Sequence, residues 1–130
     1  MQVASAGFRR EGNTNCMLTA HGSLGEFLVL IYIAVAIFAA VLANRGGLPA
    51  WVSGIAHGLL SIQVVLGIIL LIRNPTAAPW HHILFGLLTI PALGLMFPLK
   101  KRLGATRGTV IGAIIVAVVI TLAVLTGMFR

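Results

Sequence analysis

Acidic side chains are nearly missing from this chain. Of 130 residues only Glu11 and Glu26 are acidic, against nine lysines and arginines, and charged residues of both signs make up 8%. Soluble domains average about 25% charged residues, so this composition cannot coat a water-soluble globule, and lipid becomes the expected solvent. Two carboxylates also leave little material for a hydrolytic metal site or a carboxylate acid–base pair. Cysteine is equally scarce. Cys16 stands alone, which rules out an intrachain disulfide and any CxxCH attachment of a covalently bound haem. It lies in a polar stretch with no lipobox-like apolar run before it and reads as a spectator thiol. No phosphate-binding loop or nucleophile–base constellation occurs, so catalysis is the least supported class. A carrier or structural role is favoured over an enzyme.

Hydrophobic residues, by contrast, make up 59% of the chain. Four apolar segments cover roughly 24–43, 50–72, 82–99 and 108–129. Each approaches or exceeds the about 17–25 residues needed to span a hydrocarbon core. Polar or helix-breaking joints separate them at Asn44–Gly47, Arg73–Pro79 and Lys100–Arg107. The expected fold class is an all-α membrane protein, an up-and-down bundle of four transmembrane helices. It forms a single membrane domain over 1–130, with a polar leader at 1–19 and helices at about 20–44, 50–73, 80–99 and 108–129. The first span exceeds a signal-peptide h-region and follows about twenty polar residues, so it reads as a mature helix.

The formal charge of +7 points to anionic lipid headgroups, with no nucleic-acid partner, because the basic residues mark helix ends. Arg9, Arg10, Arg73 and Arg130 fall on one side, and Arg45, Lys100, Lys101, Arg102 and Arg107 on the other. Four of those five crowd one short loop, which is expected to be cytoplasmic, with both termini outside. The expected location is a bacterial inner membrane, crossed several times.

Histidine is the residue type that suggests chemistry. His21 is followed four residues later by Gly25, His57 by Ser61, and His82 by Gly86. Positions i and i+4 lie one above the other on a helix, and an imidazole beside a bare patch of backbone suits a flat macrocycle held by a metal–nitrogen bond. His21 and His82 start the first and third helices, which are diagonal partners at one membrane face, and are expected to supply two axial ligands with Gly25 and Gly86 admitting the ring. Interfacial histidines with packing glycines are the plain alternative. His57, sharing a face with Gly54 and Ser61, is a further candidate ligand, or an interior histidine bonded across helices. His81 is a supporting or surface residue, or exchanges roles with His82. Arg73, with Arg9 and Arg10, could pair with haem propionates or merely fix topology. The metal-ligating set is therefore His21, His82 and His57, and the expected cofactor is haem b, with (bacterio)chlorophyll or no cofactor as alternatives. Gln63 lies about 240° beyond His57 and is expected to hydrogen-bond a neighbouring helix. Glu26 takes part in proton uptake beside a quinone or is simply exposed. Pro91 is expected to kink the third helix, and Gly108-x3-Gly112 to serve close packing of the fourth.

The stretch His57-Gly-Leu-Leu-Ser-Ile-Gln63-Val-Val-Leu-Gly67 resembles a helix of the haem A synthase family, in which each four-helix half holds a b-type haem between two histidines. The resemblance covers about a dozen residues. This chain has one bundle, its fourth helix lacks the family's histidine, and Glu26 is outside the family's acid–histidine context, so haem hydroxylation is not implied. The His-x3-Gly pattern is also similar in architecture to small b-type cytochromes and to the membrane anchors of quinone-linked dehydrogenases. Those resemblances imply a bis-histidine electron carrier working with quinone and with other membrane subunits of a respiratory or photosynthetic complex. The competing expectation is a non-catalytic structural or assembly subunit of such a complex, with a small-molecule transporter third.

Overall fold

Proline and glycine set the limits of the helices in the computed structural model, which describes the backbone over 3–76 and 78–128 and side chains from residue 12 onward. Pro49 and Pro79 immediately precede the second and third helices. Their fixed φ begins a helix easily, while their rings disfavour helical geometry in the residue before. Helix α1 runs Val3–Val41 and is followed by a single 3-10 turn, Ala43–Arg45. That turn closes on Gly46 at φ 94°, a left-handed conformation that glycine adopts without a Cβ clash. Helices α2, α3 and α4 run Ala50–Arg73, Trp80–Leu103 and Ala105–Met128.

Two boundaries differ from expectation. The polar leader is continuous with α1 from Val3 onward, since nothing in its sequence breaks a helix. The basic joint at 100–107 shrinks to one residue, Gly104 at φ 85° and ψ 161°. Lys100, Lys101 and Arg102 occupy the last turn of α3, where cations oppose the negative end of the helix dipole. Arg107 lies in the first turn of α4. Pro91 and Pro98 both lie inside α3, which remains a continuous helix through them. Each removes one backbone donor.

All four helices are long and apolar enough to cross a membrane. At 1.5 Å per residue, 24 residues reach about 36 Å, more than the about 30 Å of a hydrocarbon core. The chain is a multi-pass integral membrane protein with an all-α four-helix architecture, and no strand occurs among the described residues. Phe27, Leu30, Ile72 and Phe97 are largely exposed, as lipid-facing residues must be. Trp51 and Trp80 stand exposed at the starts of α2 and α3, at opposite ends of the bundle, where interfacial tryptophans anchor.

Close approaches join α3 to α4, α1 to α4 and α1 to α2, while α2 and α3 meet only sparsely. Helices α1 and α3 are thus diagonal, and the α2–α3 side is the open seam. Helix α4 is the most enclosed, with 44% of its apolar window buried against 11% for α2. Its Gly108, Gly112, Ala113 and Ala117 are buried, and the missing side chains let its neighbours approach. A Cβ on Gly108 would collide with the Lys100 backbone, and one on Gly112 would lie 2.6 Å from Met96 Cγ. The core between these contacts holds Leu28, Tyr32, Leu60, Met96 and Val116.

Candidate functional site

At the end where α1 and α3 begin, the packing opens into a cavity of about 270 Å³ reached by all four helices. Its walls are mostly apolar, with Leu60, Ile83, Leu87, Ile120 and Val124 among them, and Thr14, Glu26 and Asn74 stand at its polar margin. His21 from α1 and His82 from α3 both face it, their ring centres 6.0 Å apart and their planes at 80°. The diagonal placement expected for these two residues is the one observed.

Each ring is seated on a glycine of another helix. A Cβ on Gly67 of α2 would come within 3.0 Å of His21 Cε1, and one on Gly127 of α4 within 2.9 Å of His82 Nδ1. The glycines that make room for the imidazoles are therefore Gly67 and Gly127, while Gly25 and Gly86, one turn on from each histidine, both line the cavity. Gly25 instead accommodates the Gln63 amide and a Val124 methyl, at 3.2 and 3.4 Å from a would-be Cβ. Gly86 has nothing within 4 Å and borders the cavity itself.

Hydrogen bonding distinguishes the two imidazoles. His82 Nδ1 lies 2.7 Å from the Ala123 carbonyl oxygen. A carbonyl only accepts, so Nδ1 carries the proton and Nε2 keeps a free lone pair. His21 has no such anchor, since its Nδ1 is buried without a hydrogen-bond partner. Gln63 Nε2 donates to the His21 backbone carbonyl at 2.9 Å, which leaves Gln63 Oε1 as a second buried atom without a partner. An unmet buried polar atom costs about 1–3 kcal/mol, so the site gains from anything that satisfies these two.

The remaining candidates are elsewhere. His57 is at the opposite end, ten residues or about 15 Å along α2 from Gly67. Its ring tilts against Tyr32 at 6.1 Å, with the Tyr32 hydroxyl 3.5 Å from Nδ1. Ser61 does not reach that imidazole. Its hydroxyl donates to the His57 backbone carbonyl at 2.9 Å, the usual i−4 bond of a helical serine. Gly54 is exposed with open space above it, so the half-buried His57 ring rests on Tyr32 and not over Gly54. His81 packs edge-on against Trp80 at 5.6 Å, outside the cavity lining. Arg73 is exposed at the cavity end, its Nη1 3.5 Å from Met17 Sδ. The Arg9, Arg10 and Arg130 side chains lie outside the described residues.

The chain matches no protein-family model, no curated protein and no solved structure.

Its own donor set therefore has to speak for the site. Among the described residues no group of three or more His, Cys, Asp or Glu could hold a metal ion. A bare zinc or calcium ion needs at least three or four protein ligands, and two imidazoles fall short. They suffice for a metal that brings its own equatorial donors, as a tetrapyrrole does. Two metal–nitrogen bonds of about 2.0 Å, plus about 1.1 Å from each nitrogen to its ring centre, would separate such centres by about 6.2 Å, against 6.0 Å between these two rings. The cavity is slightly smaller than the about 300–1,000 Å³ typical of ligand pockets, and both α2 and α3 contribute to its lining.

Sequence spacing missed part of this set. Gln63-x3-Gly67 repeats the pattern of His21-x3-Gly25 and His82-x3-Gly86 and lines the same cavity. It was detectable as a third polar residue with glycine one turn on. The Ala123 carbonyl and Gly127 carry no such signal, because a backbone acceptor is present at every position.

Proposed function

We propose that the chain is a membrane b-type cytochrome in which His21 and His82 would hold one haem. It passes single electrons between a lipid-dissolved quinone or quinol and neighbouring redox subunits, in a bacterial inner membrane. The observation carrying this reading is the pair of imidazoles from diagonal helices, their ring centres 6.0 Å apart at one cavity. A bound haem supplies one-electron exchange at a potential tuned by its axial ligands and their surroundings.

The chain's own residues perform the rest. The Ala123 carbonyl fixes the His82 tautomer so that Nε2 points its lone pair away from α4's backbone. Gly67 and Gly127 hold both rings by contact rather than by flexible packing. Leu60, Ile83, Ile120 and Val124 exclude water and keep the local dielectric low. Arg73, exposed at this end, is available to a propionate carboxylate, which guanidinium binds bidentately.

The test is a reduced-minus-oxidised optical spectrum of the purified, detergent-solubilised chain, with pigment extraction alongside. A low-spin haem spectrum lost in His21→Ala and in His82→Ala, and kept in His57→Ala, is the expected result. Full haem occupancy in both of the first two variants would overturn the ligand pair, and extraction of a chlorin or of no pigment would overturn the cofactor.

A further inference from the structure

The haem reading leaves an asymmetry between the two ligands, and this inference rests on that reading. His82 has an acceptor for its Nδ1 proton, the Ala123 carbonyl at 2.7 Å. His21 Nδ1 has none, and the only other buried side-chain atom without a partner among the described residues is Gln63 Oε1. Gln63 is already tied to this residue, since its Nε2 donates to the His21 carbonyl at 2.9 Å. Nε2 and Oε1 belong to one planar amide, so an acceptor without a partner is carried by the same side chain that bonds the His21 main chain, and no hydrogen bond joins it to Nδ1 in this structure. Gly25 is what lets the amide in, its absent side chain leaving Nε2 3.2 Å from where a Cβ would stand.

We infer that Gln63 is the positioning residue for His21, its Oε1 accepting the Nδ1 proton when Nε2 ligates the metal. Histidine ligands almost always donate their second ring nitrogen to such a partner, which orients the ring and raises its basicity. Gln63 then does for His21 what a main-chain carbonyl does for His82. Unlike a carbonyl, it is a side chain whose replacement alters the acceptor. A stronger acceptor gives His21 more imidazolate character, favours the ferric state and lowers the reduction potential.

The experiment is redox titration of the haem-loaded full chain in detergent, with electron paramagnetic resonance of the ferric form, for wild type, Gln63→Leu and Gln63→Glu. Loss of the acceptor in Gln63→Leu is expected to shift the ferric–ferrous equilibrium several-fold toward ferrous, and the carboxylate of Gln63→Glu to shift it toward ferric. A tenfold shift corresponds to about 59 mV for one electron. The ferric g-values are expected to move in opposite senses in the two variants, a signature that mere loss of packing would not produce. If Gln63→Leu does not fold, Gln63→Glu alone decides the matter. Wild-type potential and g-values in the haem-loaded variants overturn the role of Gln63 while leaving the haem in place. A wild-type chain that takes up no haem overturns the cofactor reading and this inference with it.

Discussion

At the end of the bundle where α3 turns into α4, glycine brings main chain against main chain and against a methionine side chain; at the opposite end it brings imidazole against main chain. Gly108 and Gly112 press on the Lys100 backbone and on Met96. Gly67 and Gly127 press on His21 and His82. The first pair gives tight helix association, the usual use of small residues in a bilayer. The second seats each imidazole against a neighbouring helix at the edge of the cavity, the kind of support a ligand site needs. Glycine by itself thus does not tell packing from binding; what it presses against does.

The comparison breaks most directly at its rigid end. Gly108→Ala places a methyl group against backbone that cannot yield, and a loss of about 3 kcal/mol of stability is expected, read as a lowered unfolding midpoint in detergent. Any haem in the surviving folded fraction should keep an unaltered spectrum, because the clash is far from the cavity. At the other end, Gly127→Ala should leave the fold intact and displace the His82 ring, weakening haem binding by about 10–100-fold in a titration of apoprotein. Equal loss of fold and of binding in both variants would show that the two ends are not separable.

Smaller effects sharpen the same contrast. His57→Ala removes a partly buried ring beside Tyr32 and should cost about 1 kcal/mol, with no change in the haem spectrum. Gly86→Ala meets nothing within 4 Å and improves helix propensity, so stability should change by less than about 1 kcal/mol. A methyl group there narrows the cavity, so slower haem uptake with unchanged melting would separate the roles of Gly86 and Gly127.

Much of the architecture was readable from composition. Long apolar segments broken by Asn44–Gly47, Arg73–Pro79 and Lys100–Arg107 give four spans, and short joints give the antiparallel order that makes α1 and α3 diagonal. The helix ends were less readable. Lys100 to Arg107 looks like a polar loop, yet charged residues extend helices readily at a membrane end, and only Gly104 breaks the run. The leader looked separate because polarity was taken to end a helix, which it does not. At the site, i+4 spacing identified His21 and His82, and their common face followed from helix order. It placed Gly25 at the cavity lining but wrongly gave the Ser61 hydroxyl to the His57 ring, because spacing along one helix is silent about which neighbouring helix arrives above it. Gly67, Gly127 and the Ala123 carbonyl belong to that missing class of information.

The sparse contact between α2 and α3 carries a consequence for unfolding. The molecule is effectively two hairpins, α1–α2 and α3–α4, fastened along the α1–α4 line and left unlaced on the far side. Of the four sides of the bundle this one has the least packing to lose, so the two hairpins are expected to separate there first on unfolding and along the α1–α4 line last.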